Sequence, residues 1–320
     1  MLFSILTPTW NRERYLERVH SGLMRQKFRD FEWVIADDGS IDNTSDVVKD
    51  LANRSDFKII YIQANCHVGK VVMDNLAIKH AKGEFILWCD SDDFLMPQAL
   101  HRLWETWKTI PENKLSEFVG LTALAASENK CIANPLPAKP YSDVSWNELS
   151  EIHHVTGDML FCVRAEELKK HVFPEVDLVI PESVVWTAIG EGKTRLIPEE
   201  LLMKEYRAEH AISFVPRMAY NRGRAYSLAI TVRNLEHYER GLRYRTWQLI
   251  TFIRYCIHGE ISFASAWNLW SGNTNLFVYI WAMPFAWILA VKDCLQGKVI
   301  KTHREFNAAK TRAEFTVEVL

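Results

Sequence analysis

Along the first hundred residues, short apolar runs alternate with stretches whose apolar positions recur every three or four residues. Residues 2–6, 31–36, 57–62 and 84–89 read as strands, apolar on both faces and bounded by polar or turn residues. Between them, residues 12–26 carry Tyr15, Leu16, Val19, Leu23 and Met24 at helical spacing, and residues 43–54 and 70–83 repeat the pattern, with Asn43 and Thr44 as cap candidates and Gly83 as a stop. Strands apolar on both sides and alternating with helices predict a largely parallel sheet covered by helices on both faces. After a helix over 97–110 the rhythm loosens. Residues 118–127 and 130–136 read as less regular strands and 135–143 as proline-rich loop. Then 155–171 reads as strand and short helix, 181–192 as helix and 194–206 as strand. From about residue 217 the pattern is helical and aromatic, which predicts two domains, 1–215 and 216–320.

The 320 residues are 48% hydrophobic, enough for a sizeable core, and a formal net charge of −2 creates no global field for nucleic acid. Locally the balance differs, with seven arginines against two glutamates between residues 217 and 245. That excess suits an anionic membrane surface or a phosphorylated ligand, and equally a solvated helix face. Residues 276–291 carry no charge but fall short of the ~18–20 residues of a full span, and Pro284 interrupts them. A membrane-dipping or interfacial helix fits better than a spanning one, and a buried core helix is the alternative. The six cysteines are scattered without a C-x-x-C pair, as expected of reduced thiols in a cytosolic compartment. The opening residues lack a basic leader and no signal peptide is expected.

Three motifs fall at the carboxyl ends of predicted strands, where ligands bind in open parallel sheets. They are TPTWNR after the first strand, DDGS after the second and CDSDD after the fourth. DDGS alone is ordinary turn chemistry. Asp90 and Asp92, one residue apart on near-extended backbone, project to one side, and their repulsion is relieved by a divalent cation. All-oxygen ligands select Mg²⁺ or Mn²⁺. A helix cap by Asp92 or Asp93 is the bland alternative, though three carboxylates exceed what a cap needs. A calcium loop starting at Asp38 fails, because Asn43 stands where its glycine belongs and Lys49 where its bidentate glutamate should be. Neither glycine-rich nucleotide fingerprint is present.

With these residues in view, the chain resembles a family 2 glycosyltransferase of the GT-A fold. The resemblance is carried by SILTPTWNRERYL, WVIADDGSIDNT, NCHVGKVVMDNLAIKHAKGEFILWCDSDD, VTGDMLFCVRAEEL and IPESVVW, spanning about residues 3–212. It implies a nucleotide-diphosphate-sugar donor, usually uridine-linked, and inversion at the anomeric carbon. By the same resemblance Pro8, Thr9 and Asn11 line the nucleotide pocket, Asp38 contacts the base, and Gly69, Lys70 and Asn75 border the nucleotide. Asp90 faces ribose or metal, and Asp92 ligates the metal on the diphosphate. The family's usual Glu-Asp base motif is here Glu182-Ser183, so the base role passes to Glu182, with Asp158 as the second candidate. His210 stands where a loop residue can reach the diphosphate and its metal, Arg207 beside it.

These features together predict a metal-dependent hexosyltransferase with Mn²⁺ or Mg²⁺, extending a lipid-linked or polysaccharide acceptor in capsule, O-antigen or exopolysaccharide synthesis. It would sit at the inner face of the cell membrane as a peripheral protein. A non-catalytic nucleotide-sugar or glycan-binding module is the alternative that the Glu-Ser departure keeps open. A sugar nucleotidyltransferase shares the architecture but needs a glycine-rich first loop, and TPTWNR has no glycine. A hydrolase working through paired carboxylates would leave the nucleotide-pocket motifs unexplained.

Overall fold

The computed structural model of the chain describes residues 1–127, 143–205, 219–235, 241–270 and 274–320, with the backbone alone at 130–131. By compactness it falls into two units. One gathers Met1–Val172, Ile189–Glu209 and Ala313–Leu320, the other Phe173–Ala188 and His210–Arg312. A single cut at 215/216 reproduces neither.

The first unit is built on strands β1 (Phe3–Thr9), β2 (Phe31–Asp37), β3 (Lys58–Ala64), β4 (Phe85–Trp88), β5 (Phe94–Leu95), β6 (Phe118–Ser127), β7 (Lys130–Cys131), β8 (Asp143–Ser145), β9 (Met159–Arg164), β10 (Lys193–Met203) and β11 (Phe315–Val319). Their order is β11-β3-β2-β1-β4-β9-β6-β10-β5, with β7 on β6 and β8 on β10. β3, β2, β1 and β4 are mutually parallel, β9 runs antiparallel to both β4 and β6, and β10 is parallel to β6. The carboxyl ends of β1, β2, β3, β4, β6 and β10 therefore share one edge with the amino end of β9.

Helices α1 (Leu16–Met24), α2 (Thr44–Arg54), α3 (Lys70–His80), α4 (Ala99–Lys108), α5 (Trp146–Glu151) and α6 (Ala165–Leu168) complete this unit. Its core packs Phe3, Ile5, Leu16, Leu23, Trp33, Leu87 and Leu100, all at most 2% exposed. A buried polar relay crosses the sheet: Trp33 Nε1 donates to Thr7 Oγ1 at 2.8 Å, and Thr7 Oγ1 to the Cys89 carbonyl at 2.7 Å. Such satisfied buried groups fix register, and this one fixes β1, β2 and the residue before Asp90. Two details depart from the sequence reading. No strand was foreseen at 315–319, and Asp93 does not cap a helix, because β5 follows it and α4 begins only at Ala99.

In the second unit, α7 (Ser183–Ile189) leads into Ile189 and β10, and the rest is α8 (Asn221–Asn234), α9 (Leu242–His258), α10 (Phe263–Trp270), α11 (Leu276–Leu295) and α12 (Thr302–Lys310). Buried Asp177 ties α8 to α12, accepting from the Arg222 N–H at 3.1 Å, the Gly223 N–H at 3.4 Å and Thr302 Oγ1 at 2.7 Å. α11 is longer than the sequence predicts, since it runs through Pro284 for 20 residues. By length and composition it is the one helix among the described residues able to cross a membrane. One stripe of it, Tyr279, Ala282, Ala286, Ala290 and Asp293, is buried, while Phe277 (80%), Trp281 (52%) and Trp287 (62%) are exposed. Asp293 takes a two-pronged ion pair from Arg254 of α9 and lies 2.9 Å from His258 Nε2. That buried charge cluster ties α11 to α9 as part of a folded helical unit.

Candidate functional site

The shared strand edge of the first unit collects most of the residues singled out in the sequence. Asn11, just past β1, adopts a left-handed φ of 54°. Its N–H donates to Ser40 Oγ at 2.8 Å, and its Oδ1 accepts from the Ile41 N–H at 2.9 Å. An asparagine tolerates that conformation better than most residues, and here the side chain staples TPTWNR to DDGS. Gly39 has φ +70°, and a Cβ there would lie 2.4 Å from the Cys66 backbone carbon, so the DDGS turn requires glycine.

The two aspartates of DDGS differ. Asp37 is buried and structural, accepting from Tyr61 OH at 2.6 Å and the Ser40 N–H at 2.9 Å, with burial raising its pKa. Asp38 turns to the loop after β3, where its Oδ1 accepts from the Val68 N–H at 2.6 Å and its Oδ2 from the Gly69 N–H at 2.9 Å. His67 Nδ1 lies 2.9 Å from Asp38 Oδ2, and the His67 ring stacks on Trp10 at 4.1 Å between centroids. Trp10 is 40% exposed, a flat apolar surface beside Asp38. Pro8 is half-buried, and Thr9 is buried with no hydrogen-bond partner for Oγ1.

Beyond β4 the backbone turns at once: the Asp93 N–H donates to the Asp90 carbonyl at 2.9 Å. Asp90 is held between cations, with Lys70 Nζ 3.9 Å and Lys204 Nζ 3.7 Å from its oxygens, and Arg12 lies 3.8 Å from Asp92. Burial pushes the Asp90 carboxyl up, but Lys70, Lys204 and Arg12 together hold it below the usual range. Asp92 goes the other way, raised by burial and then by the Asp90 charge. Asp93, 1% exposed, is pushed up to about 8 by burial, and its Oδ1 accepts from the Glu205 N–H at 3.1 Å. Lys70 also pairs with Asp74 at 2.9 Å, and Asp74 accepts from Trp88 Nε1 at 3.0 Å. Asn75 sits half-buried on α3. Asp158, just before β9 and 48% exposed, is 3.5 Å from Lys204 Nζ.

The first unit thus brings together Asn11, Asp38, Gly69, Lys70, Asp90, Asp92 and Asp158. Glu182 is exposed in the second unit, at the start of α7. His210 and Arg207 lie outside the described residues. Among the described residues no three acidic, histidine or cysteine side chains are arranged to enclose a metal ion. The oxygens present nonetheless fit a hard cation at an open site: Asp90 Oδ1 and Asp93 Oδ2 are buried without a hydrogen-bond donor. Sequence reasoning missed Lys204 and the direct pairing of Arg12 with Asp92. Arg12 lay inside a quoted motif, whereas nothing near Lys204 in sequence announces its carboxylate partners.

Residues 4–113 match the family model for glycosyl transferase family 2. Over 102 residues the chain is 36% identical to a poly(ribitol-phosphate) beta-N-acetylglucosaminyltransferase, TarS, of Staphylococcus aureus, covering 31% of this chain and 18% of that protein. It is 33% identical over 102 residues to a GalNAc(5)-diNAcBac-PP-undecaprenol beta-1,3-glucosyltransferase of Campylobacter jejuni, covering 32% of this chain and 33% of that one. The matches thus span a third or less of those relatives' lengths. The crystal structure of S. aureus TarS 1–349 in complex with UDP-GlcNAc superimposes with a TM-score of 0.57 at 19% identity, over 97% of this chain and 88% of that one. A second crystal structure of S. aureus TarS 1–349 gives 0.56 at 19% identity, over 93% of this chain and 81% of that one. The shared architecture is the GT-A fold.

Proposed function

We propose, from the match of residues 4–113 to the glycosyl transferase family 2 model, that the chain is an inverting, metal-dependent glycosyltransferase using a uridine-diphosphate sugar. The observation that carries this reading is the carboxylate turn 90–93, placed at the strand edge together with Asp38, Asn11 and their cations. Trp10 and Asp38 offer a flat ring and a hydrogen-bond acceptor to a nucleobase, and Thr9 Oγ1 a further polar atom. Asp92 and Asp90 would hold Mn²⁺ or Mg²⁺, which supplies charge to stabilise the departing diphosphate. Lys70 and Arg12 bring further positive charge to the same place.

An acceptor hydroxyl needs a carboxylate to take its proton. Glu182 takes that role by its place in PESVVW. Asp158 is the carboxylate that the first unit's own geometry brings beside the turn. The acceptor is a lipid-linked or polysaccharide chain, a reading supported by relatives whose names give a poly(ribitol-phosphate) polymer and an undecaprenol-linked glycan, and the exposed aromatic face of α11 supports work at a membrane surface. A binding module without turnover is the second reading, favoured by Ser183 standing where the family carries aspartate.

The test incubates the full chain with uridine-diphosphate sugars, UDP-GlcNAc first, and Mn²⁺, scoring donor hydrolysis and transfer. Turnover reduced at least about 10²-fold by Asp92→Asn is expected. Tight donor binding with no turnover would establish the module instead. Comparing Glu182→Gln with Asp158→Asn then assigns the base, since loss of the base lowers kcat for transfer while leaving UDP binding intact.

A further inference from the structure

At the strand edge, Lys204 faces three carboxyl groups among the described residues. Its Nζ lies 3.7 Å from Asp90, 3.5 Å from Asp93 and 3.5 Å from Asp158. The residue is anchored from behind: its N–H donates to the Ala126 carbonyl at 2.8 Å, and the next N–H, of Glu205, donates to Asp93 at 3.1 Å. With the backbone fixed at the end of β10, the stem reaches into the acidic turn. The three carboxyl groups are nearly equidistant from the ammonium, which sits among them. Asp93 Oδ2, on a residue 1% exposed, has no hydrogen-bond donor and is directed at this charge. Lys70 is differently occupied, 2.9 Å from Asp74, and Arg12 lies 3.8 Å from Asp92.

We propose that Lys204 is a positioning residue that serves as the built-in counter-ion of the carboxylate turn, holding the charge position a divalent cation would take, so that the cation enters only together with a diphosphate. This rests on the reading of Asp90 and Asp92 as the cation-holding residues. A bare dication entering beside the ammonium meets like-charge repulsion in a partly desolvated place. A diphosphate removes the obstacle by giving the ammonium an anion to turn to. Lysine suits the task because it is a compact charge on a flexible four-carbon stem, able to swing without unlocking its backbone. Coupling of this kind is reciprocal: whatever the diphosphate does for the cation, the cation does for the diphosphate.

The experiment measures Mn²⁺ binding to the full chain by electron paramagnetic resonance of free Mn²⁺, with and without UDP. The proteins compared are wild type, Lys204→Met, Lys204→Arg and Asp92→Asn, each checked for folding by circular dichroism, with Lys204→Gln in reserve should the methionine variant not fold. Lys204→Met is expected to bind Mn²⁺ alone about tenfold more tightly than wild type, and UDP to add correspondingly less. Lys204→Arg should keep the weak binding of metal alone. Metal-alone affinity in Lys204→Met that is unchanged or weaker, while Asp92→Asn loses the UDP-dependent metal, overturns the counter-ion role and leaves the metal site standing. UDP-dependent Mn²⁺ binding that survives Asp92→Asn intact places the metal elsewhere and removes both.

Discussion

Asp93 concentrates the electrostatic tension of the site in one side chain. In the native state burial keeps its pKa near 8, against an ordinary carboxylate value, so between about pH 4 and 8 the folded protein holds a proton that the unfolded chain has released. Stability contributed this way declines as pH rises through that window. Asp90 acts in the opposite sense: its lowered pKa contributes stability above the ordinary carboxylate value that is lost on acidification. Asp93→Asn keeps an acceptor for the Glu205 N–H but nothing to ionise. Its melting temperature is therefore expected to match wild type below about pH 4 and exceed it by several degrees at pH 9; parallel curves for the two proteins would contradict this. At this scale the sequence revealed what local spacing can reveal. Asp90, Asp92, Asp38 and Asn11 stand out because each motif is contiguous and ends a strand. Lys204 and the reach of Asp93 to Glu205 did not, because 112 residues separate that hydrogen-bonded pair and no periodicity connects them.

Among the elements, the strands of the first hundred residues were readable because they are apolar on both faces, and their pairing follows from alternation with helices. α11 was harder, since composition alone cannot tell a buried helix from one that rests on a bilayer. The structure gives it both characters. Ala282, Ala286 and Ala290 make a flat stripe that lets it approach its own unit closely, while Phe277, Trp281, Trp287 and Ile288 stay in solvent. Ala286→Leu should overpack the inner stripe and cost about 1–3 kcal/mol in chemical denaturation. The double change Trp281→Ser, Trp287→Ser should leave stability nearly untouched and lower co-sedimentation with vesicles of anionic lipid several-fold. Vesicle binding indifferent to that double change would argue that α11 faces something other than lipid.

At the level of the whole molecule, what the sequence hid is how the units are threaded. The pattern suggested one crossing near residue 215, but the chain leaves the first unit after Val172, returns at Ile189, leaves after Glu209 and returns at Ala313. That last return is hard to read from the chain: Phe315, Val317 and Val319 alternate with Thr316 and Glu318, but the run is five residues long and exposed throughout, so the alternation faces no core. Its role is backbone pairing: β11 runs antiparallel along β3, from Phe315 opposite Ala64 to Val319 opposite Ile60. A fragment ending at residue 215 would leave β3 as an open edge, and unpaired strand edges recruit other chains. Such a fragment is expected to form soluble aggregates on size-exclusion chromatography where the full chain does not, and restoring residues 313–320 behind a flexible linker should reduce them. The same threading sets an order of events during synthesis. β3 leaves the ribosome long before its outer neighbour exists, since 249 residues lie between Asn65 and the Glu314 it holds. For most of translation this sheet is therefore a nascent domain with one raw flank, and a chaperone that shields that flank would act on this protein before the sheet is complete.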